Sequence, residues 1–294
     1  MMPAPFIVGV GRSGTTLLRM MLDAHPDLAV PFETHFLQEL ILCAHLDITK
    51  GQFFQIVTEA PSWPNLGLEA TVLSEALDAL DSFSVPEAIR TFYRLCARRF
   101  GKLRWGDKTP PYRSCMVGIQ QLLPEAHFIH IIRDGRDTAL SYKGLWFGPG
   151  DDIEVQARFW VEQVNLARRQ STELRRYMEV SYERLVEDPG GSLESICNFL
   201  DLPFDPQMLN YYKFAPARLA DIKQPFGPPG QTPTDIERFI AIHEHTKRPL
   251  DPGRIGRWRT EMPEDQQQRY EAIAGGLLRE LEYETRFGCG APGR

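Results

Sequence analysis

An apolar run at residues 6–10 breaks into Gly, Arg, Ser, Gly and two Thr, and apolar positions then resume at Leu17, Leu18, Met21 and Leu22 with a helical period. The pattern predicts a buried parallel strand, a tight loop and an amphipathic helix that His25 and Pro26 stop. Residues 28–31 make a second short strand, and residues 34–101 read as mostly helical. The clearest helix spans 85–100, with Pro86 in its first turn, Ile89, Phe92, Tyr93 and Cys96 on one stripe and Gly101 at its end. Residues 103–106 form a weak third strand that Pro110 and Pro111 forbid from continuing. A helix over 112–123 leads to a strongly apolar fourth strand at 126–132, which ends in Arg133, Asp134 and Gly135.

Beyond it the pattern predicts a long charged helix over 153–177, a fifth strand at 178–181, short helices at 182–188 and 193–200, and a last helix over 264–282. Between them, residues 213–253 carry Pro216, Pro225, Pro228, Pro229, Pro233, Pro249 and Pro252, too many for regular structure throughout. Long connections of this kind are often lids or binding loops. Strands alternating with helices imply an α/β fold with a doubly wound, mainly parallel sheet flanked by helices. In such sheets ligands lie beyond the carboxyl ends of the strands.

Composition narrows the function. The chain has 294 residues, 43% of them hydrophobic, enough for one large α/β domain. A net charge of −6 argues against broad nucleic-acid binding and leaves room for a local basic pocket. The N-terminus carries no basic region before the first strand, and no apolar run approaches the ~20 residues of a membrane span. A soluble cytoplasmic protein without a stable membrane anchor is expected. Five cysteines (Cys43, Cys96, Cys115, Cys197, Cys289) are dispersed and never in a Cys-x-x-Cys pair, which indicates neither a disulfide framework nor a zinc site. His243 and His245 are two apart, a spacing that does not share a helix face, and they read as polar surface.

The candidate chemistry begins in the first loop. Gly9, four residues, Gly14, Thr15 and Thr16 form a Walker A spacing in which Thr15 replaces the Lys that reaches β- and γ-phosphates. The glycines and the helix N-terminus suit a phosphate-like anion, and Arg12 supplies a permanently charged donor fork. Glu33, Lys108 and Arg133 follow the second, third and fourth strands, so all meet the loop on one edge of the sheet. Asp134 caps a helix whose second turn brings Ser141 near an anion gathered by Arg133.

These residues carry a resemblance. The segment GVGRSGTTLLRMMLDAHPDLAVPFETHFL closely resembles the opening of the sulfotransferases that use 3′-phosphoadenosine 5′-phosphosulfate (PAPS), with the tyrosylprotein branch nearest. WGDKTP (105–110) resembles that family's lysine segment, IIRDGRDTALSY (131–142) its 3′-phosphate motif, SYERLVEDP (181–189) its adenine-side segment and GRW (256–258) its C-terminal cofactor loop. The resemblance implies one P-loop-type sulfotransferase domain over 1–294, with a helical insertion at about 34–101 and a Pro-rich lid or loop at about 213–257. It assigns Arg12, Ser13, Gly14, Thr15 and Thr16 to the 5′-phosphosulfate, Arg133 and Ser141 to the 3′-phosphate, Tyr182 to the adenine and Arg257 to closure over the cofactor. Glu33 matches the catalytic base and Lys108 the catalytic lysine, with Arg12 beside them and no metal required.

Two departures stand out. The tyrosylprotein branch has a further Arg where this chain has Leu145, with Lys143 nearby. Those relatives also carry a membrane anchor. His35 is the second choice for the base. A P-loop small-molecule kinase and a non-catalytic nucleotide-binding protein are the alternatives, and Thr15 in place of Lys counts against the kinase. The acceptor hydroxyl is left open among a small-molecule phenol, a glycan, a lipid and a peptide tyrosine. Phe36, Trp63, Trp146, Phe147 and Phe226 are aromatic residues near segments that suit an acceptor cleft.

Overall fold

The computed structural model describes residues 2–43, 46–225 and 235–287. Strand β1 (Ala4–Gly9) lies at the centre, because every one of its residues is apolar or small and buried, as a strand covered on both faces requires. It pairs in parallel with β5 (Ala126–Ile132) on one side and with the two-residue β4 (Asp107–Lys108) on the other. β5 pairs in parallel with β6 (Tyr177–Ser181), giving the order β4-β1-β5-β6. β2 (Leu28–Ala29) and β3 (Arg104–Trp105) form a separate parallel pair.

The expected strand at 103–106 is thus split between two sheets. At Gly106 an added Cβ would lie 2.6 Å from the Pro5 ring and 2.8 Å from the Pro5 carbonyl oxygen, so only glycine lets the chain pass β1 and change partner. Lys108 consequently lies inside a strand and is fully buried. Helix α1 (Thr15–Asp23) follows the first loop, and α2 (Leu37–Leu42), α3 (Lys50–Thr58), α4 (Ala70–Asp78) and α5 (Val85–Arg98) fill the segment between β2 and β3. Ser84 caps α5, accepting from the Glu87 N–H at 3.4 Å, and Pro86 sits in its first turn.

The helix expected at 112–123 is two pieces, a 3₁₀ turn at Pro110–Ser114 and α6 (Met116–Leu122), separated by Cys115 at φ −137°. Arg133 follows β5 directly, and Asp134 caps α7 (Gly135–Tyr142) by accepting from the Arg136 N–H at 2.9 Å. The long helix α8 (Ile153–Ser171) stops short of 177, because Tyr177 pairs with Phe128 in the sheet. α9 (Tyr182–Glu187) and α10 (Pro189–Phe199) come next; α10 begins earlier than periodicity suggests because Asp188 caps it from Gly191 at 3.0 Å.

The proline-rich stretch resolves into short helical turns. These include α11 (Ala215–Ala220), α12 (Ile236–Ala241) and 3₁₀ turns at Glu244–Lys247 and Pro252–Arg254. Phe226 lies outside the described residues, as do Cys289 and Pro228, Pro229 and Pro233. α13 (Trp258–Glu261) and α14 (Glu264–Glu280) close the fold. The larger apolar core joins β1, β5, α1, α5 and α10. A smaller one packs α7, α8, α13 and α14 against the strand-end residues Val10 and Ile132. No helix among the described residues is long and apolar enough to cross a membrane.

Candidate functional site

The loop between β1 and α1 is shaped by two left-handed residues, Arg12 at φ 68° and Gly14 at φ 96°. The second is affordable only for glycine: a Cβ there would lie 2.4 Å from the Tyr182 ring, which rests on the loop. Holding a non-glycine such as Arg12 in this region is unusual and concentrates at ligand-binding loops. Its guanidinium donates to Ser141 Oγ at 3.1 Å and to the Ile242 carbonyl at 3.4 Å. Burial lowers the Arg12 guanidinium to about 10, with Arg133 and Arg254 adding to the effect, and Arg12 stays charged at neutral pH.

Arg133 is buried at the end of β5, its guanidinium 4.5 Å over the Tyr182 ring. It donates to the Arg12 carbonyl at 3.3 Å and to the Arg254 carbonyl at 2.7 Å. Its Nε and the Ser13 hydroxyl are buried without a hydrogen-bond partner among the described residues. Buried donors of this kind are costly unless something accepts from them. Arg12, Arg133 and Arg254 line a cleft of ≈ 210 Å³ that also holds Gly14, Thr15, Thr16 and Ser141, and Ser13 lies in the loop beside it. Orphaned donors, three clustered guanidinium groups and the free N–H groups of the first turn of α1 fit a phosphorylated ligand.

Next to this cleft lies an acid–base pair. Lys108 Nζ is buried against Glu33 Oε1 and lies 3.5 Å from Thr16 Oγ1, while His35 Nε2 meets Glu33 Oε2 at 3.0 Å. Burial alone would raise the Glu33 carboxyl, but Lys108 and His35 outweigh it and hold the group well below the usual carboxylate range. Burial pulls the Lys108 ammonium below its ordinary value, and Glu33 offsets part of that.

A hydrogen-bonded scaffold fixes the pair through the adjacent residues. Thr34 Oγ1 donates to Asp107 Oδ2 at 2.8 Å, Tyr93 OH donates to the same oxygen at 2.9 Å, and the Thr34 N–H donates to Thr109 Oγ1 at 2.9 Å. Asp107 is pushed up to about 6 by burial, against these hydrogen bonds.

Glu33 and His35 face a second cleft of ≈ 710 Å³, walled by Phe32, Trp146, Phe147, Phe159 and Phe239. Arg12, Thr15, Thr16, Ile242 and His243 line both clefts and form the wall between them. The two therefore meet beside Glu33 and Lys108.

The arrangement corrects the sequence reading at several residues. His243 is not polar surface. It is buried, faces Lys108, Arg12 and Glu33, and is lowered to about 3 by burial, with Lys108 and Arg12 adding to the effect. His245 lines the smaller cleft, its Nε2 2.9 Å from Arg254 Nη1. Helical spacing misplaced His243, because it lies past the end of α12 where chain return sets position, whereas His245 is exposed as read. Arg257 lies outside the lining of either cleft and pairs with Glu261 at 2.6 Å, whereas Arg254, three residues earlier, lines the smaller one. Lys143 is exposed beyond α7 and lines neither cleft; Leu145 packs in the smaller apolar core. Of the candidate acceptor aromatics, Trp146 and Phe147 line the larger cleft, while Phe36 and Trp63 pack in the main core. Phe159, Phe239 and Arg113 also line the larger cleft and carry no motif that marks them in the sequence, and Phe32, beside Glu33 in the opening segment, lines it too.

Comparison with known proteins places this geometry. A sequence model described as the sulfotransferase family matches residues 3–206. A putative protein-tyrosine sulfotransferase of Caenorhabditis briggsae is 28% identical over 257 residues, covering 84% of each chain. The protein-tyrosine sulfotransferase of Drosophila melanogaster is 26% identical over 270 residues, 90% of this chain and 48% of the fly protein. Among solved structures, the sulfotransferase domain from the curacin biosynthetic pathway superposes with a TM-score of 0.60 at 21% identity, covering 97% of this chain and 99% of that domain, a likeness of fold.

Proposed function

The chain belongs to the sulfotransferase family, and on that premise we propose how its two clefts divide the transfer of a sulfuryl group from PAPS to an acceptor hydroxyl. The observation that carries the reading is the meeting of an anion cleft with an aromatic cleft at a buried carboxylate–lysine pair. When bound, the donor supplies a sulfuryl group already activated by a phosphate leaving group. Ser13, Gly14, Thr15 and Thr16, with the first turn of α1 and Arg12, hold the 5′-phosphosulfate end. Arg133 and Ser141 take the 3′-phosphate, and Tyr182 lies against the adenine. The unpartnered Arg133 Nε and Ser13 hydroxyl support this assignment, since each gains an acceptor. Arg254 replaces Arg257 as the cation at the closing side, and residues 242–254 cover the donor cleft, because Ile242, His243, Arg248 and Arg254 line it.

Glu33 takes the proton of the acceptor hydroxyl as a new oxygen–sulfur bond forms and the bond from sulfur to the departing phosphate oxygen breaks. Paired with Lys108, its carboxylate is too weakly basic for that task. Lys108 has a short route away, toward Thr16 and the anion loop 3.5 Å from its Nζ. There it stabilises charge on the leaving oxygen, and withdrawal of its field raises the Glu33 pKa at the moment a base is needed. His35 keeps the second carboxylate oxygen oriented. Fixed cations and amides do the charge stabilisation, with no metal in the scheme.

The test is Glu33→Gln assayed with labelled PAPS and a phenol. Turnover should fall about 10²–10⁴-fold, with adenosine 3′,5′-bisphosphate still bound as in the wild type; undiminished turnover would remove Glu33 from the base role. A cytoplasmic location belongs to the same proposal, and recovery of the native protein in a membrane fraction would overturn it.

A further inference from the structure

Arg113 sits on the 3₁₀ turn that follows Lys108 and lines the aromatic cleft. Its Nε donates to Gln163 Oε1 at 2.7 Å, and its Nη1 donates to the carbonyls of Gly9 at 3.3 Å and Pro110 at 3.0 Å. All three acceptors are neutral. Among the described residues Nη2 has no hydrogen-bond partner and the guanidinium forms no ion pair, although burial pulls it below its ordinary value. Tyr142 acts on its charge, but burial pushes that phenol up to about 12, so it is neutral. Every other strongly buried cation bordering the clefts is accounted for. Lys108 has Glu33, Arg133 has Asp137 at 3.6 Å, and Arg12 belongs to the anion loop. The guanidinium is half-buried, its hydrogen bonds all go to neutral oxygens, and its accessible Nη2 faces the cleft; such a group favours a negative partner, and carboxylates fit its fork.

Resting on the reading of this cleft as the acceptor site, we propose that Arg113 makes an anion subsite there, and that the acceptor is a small aromatic hydroxy acid. Its ring lies between the aromatic walls, its hydroxyl reaches Glu33 and its carboxylate meets Arg113 Nη2. Arg113 is thus a specificity determinant, separate from the proton transfer and from the donor phosphates.

A matched pair of probes tests this: 4-hydroxyphenylacetate and 4-hydroxyphenylacetamide, identical in ring and hydroxyl and differing in charge. Binding of each to the protein loaded with adenosine 3′,5′-bisphosphate is measured by calorimetry. The wild type should bind the acid about tenfold more tightly than the amide. Arg113→Gln should bring that ratio near one. Because Arg113 also braces the loop through Gly9, the second variant leaves it in place. Gln163→Glu puts a carboxylate on the same Nε contact, satisfies the charge internally and should abolish the ratio equally. Equal binding of acid and amide by the wild type, or a preference that survives both variants, overturns the subsite. Failure of the transfer reading is seen separately, as no sulfated product from either probe when the wild type is given labelled PAPS.

Discussion

The two clefts share a wall and little else. The smaller cleft, proposed for the donor, has a floor of short motifs at the loop after β1, the end of β5 and Ser141 of α7, with a wall from residues 242–254, and its chemistry is cationic and backbone-based. The larger cleft, proposed for the acceptor, draws its walls from Phe32, Trp146, Phe159 and Phe239, four separate segments, and its chemistry is apolar with a few polar groups. The difference shows why one half of a transferase is generic and the other particular. Phosphate recognition needs closely spaced residues in a fixed local geometry, whereas an apolar cavity accepts any aromatic that fills the volume.

Substitutions on either side of the shared wall probe this division. The largest effect is expected at the junction. Lys108→Ala should lower kcat about 10²–10³-fold, the range seen on removing one donor from a charge-stabilising site, with little change in acceptor KM. A loss confined to KM would make Lys108 an acceptor-side residue and break the comparison. Next comes Arg133→Ala, which should reduce the preference for adenosine 3′,5′-bisphosphate over adenosine 5′-monophosphate about tenfold or more by calorimetry. Equal weakening of both nucleotides would take Arg133 away from the 3′-phosphate.

The smallest effect on turnover is expected beneath the pair. Asp107 is raised to about 6 by burial, so between its unfolded value and 6 the folded protein binds more protons than the unfolded chain. That contribution is favourable at low pH and is lost as pH rises through 6. Asp107→Asn keeps an acceptor for Thr34 and Tyr93 and removes the charge. It should therefore raise stability relative to wild type above pH 6, by up to about 3 kcal/mol, with the difference shrinking toward pH 4. A difference in Tm that is flat from pH 4 to 8 would show that Asp107 does not titrate there.

What the sequence revealed follows the same division. The β5 run and the Asp134 cap are local signals, so the placement of Arg133 and Ser141 at one strand end was legible from spacing alone. Lys108 was read as following a strand because a two-residue strand has no period to detect, and the Gly106 crossing depends on Pro5, some hundred positions earlier. His243 was misread because its place is set by the chain returning across the loop, where the Ile242 carbonyl accepts from Arg12. Arg113 and the far aromatics carry no local mark.

Asp137 on α7 accepts from the Gly256 N–H at 2.7 Å and the Trp258 N–H at 2.9 Å, pinning the segment whose Arg254 carbonyl holds Arg133. On the ribosome, this makes donor affinity a late acquisition. In a nascent chain that ends before residue 248, the wall carrying Arg248, Asp251 and Arg254 is still unmade. On the proposed reading, nucleotide capture requires synthesis past residue 258, where the Asp137 contacts are completed, and a nucleotide column is expected to pass chains terminated before it.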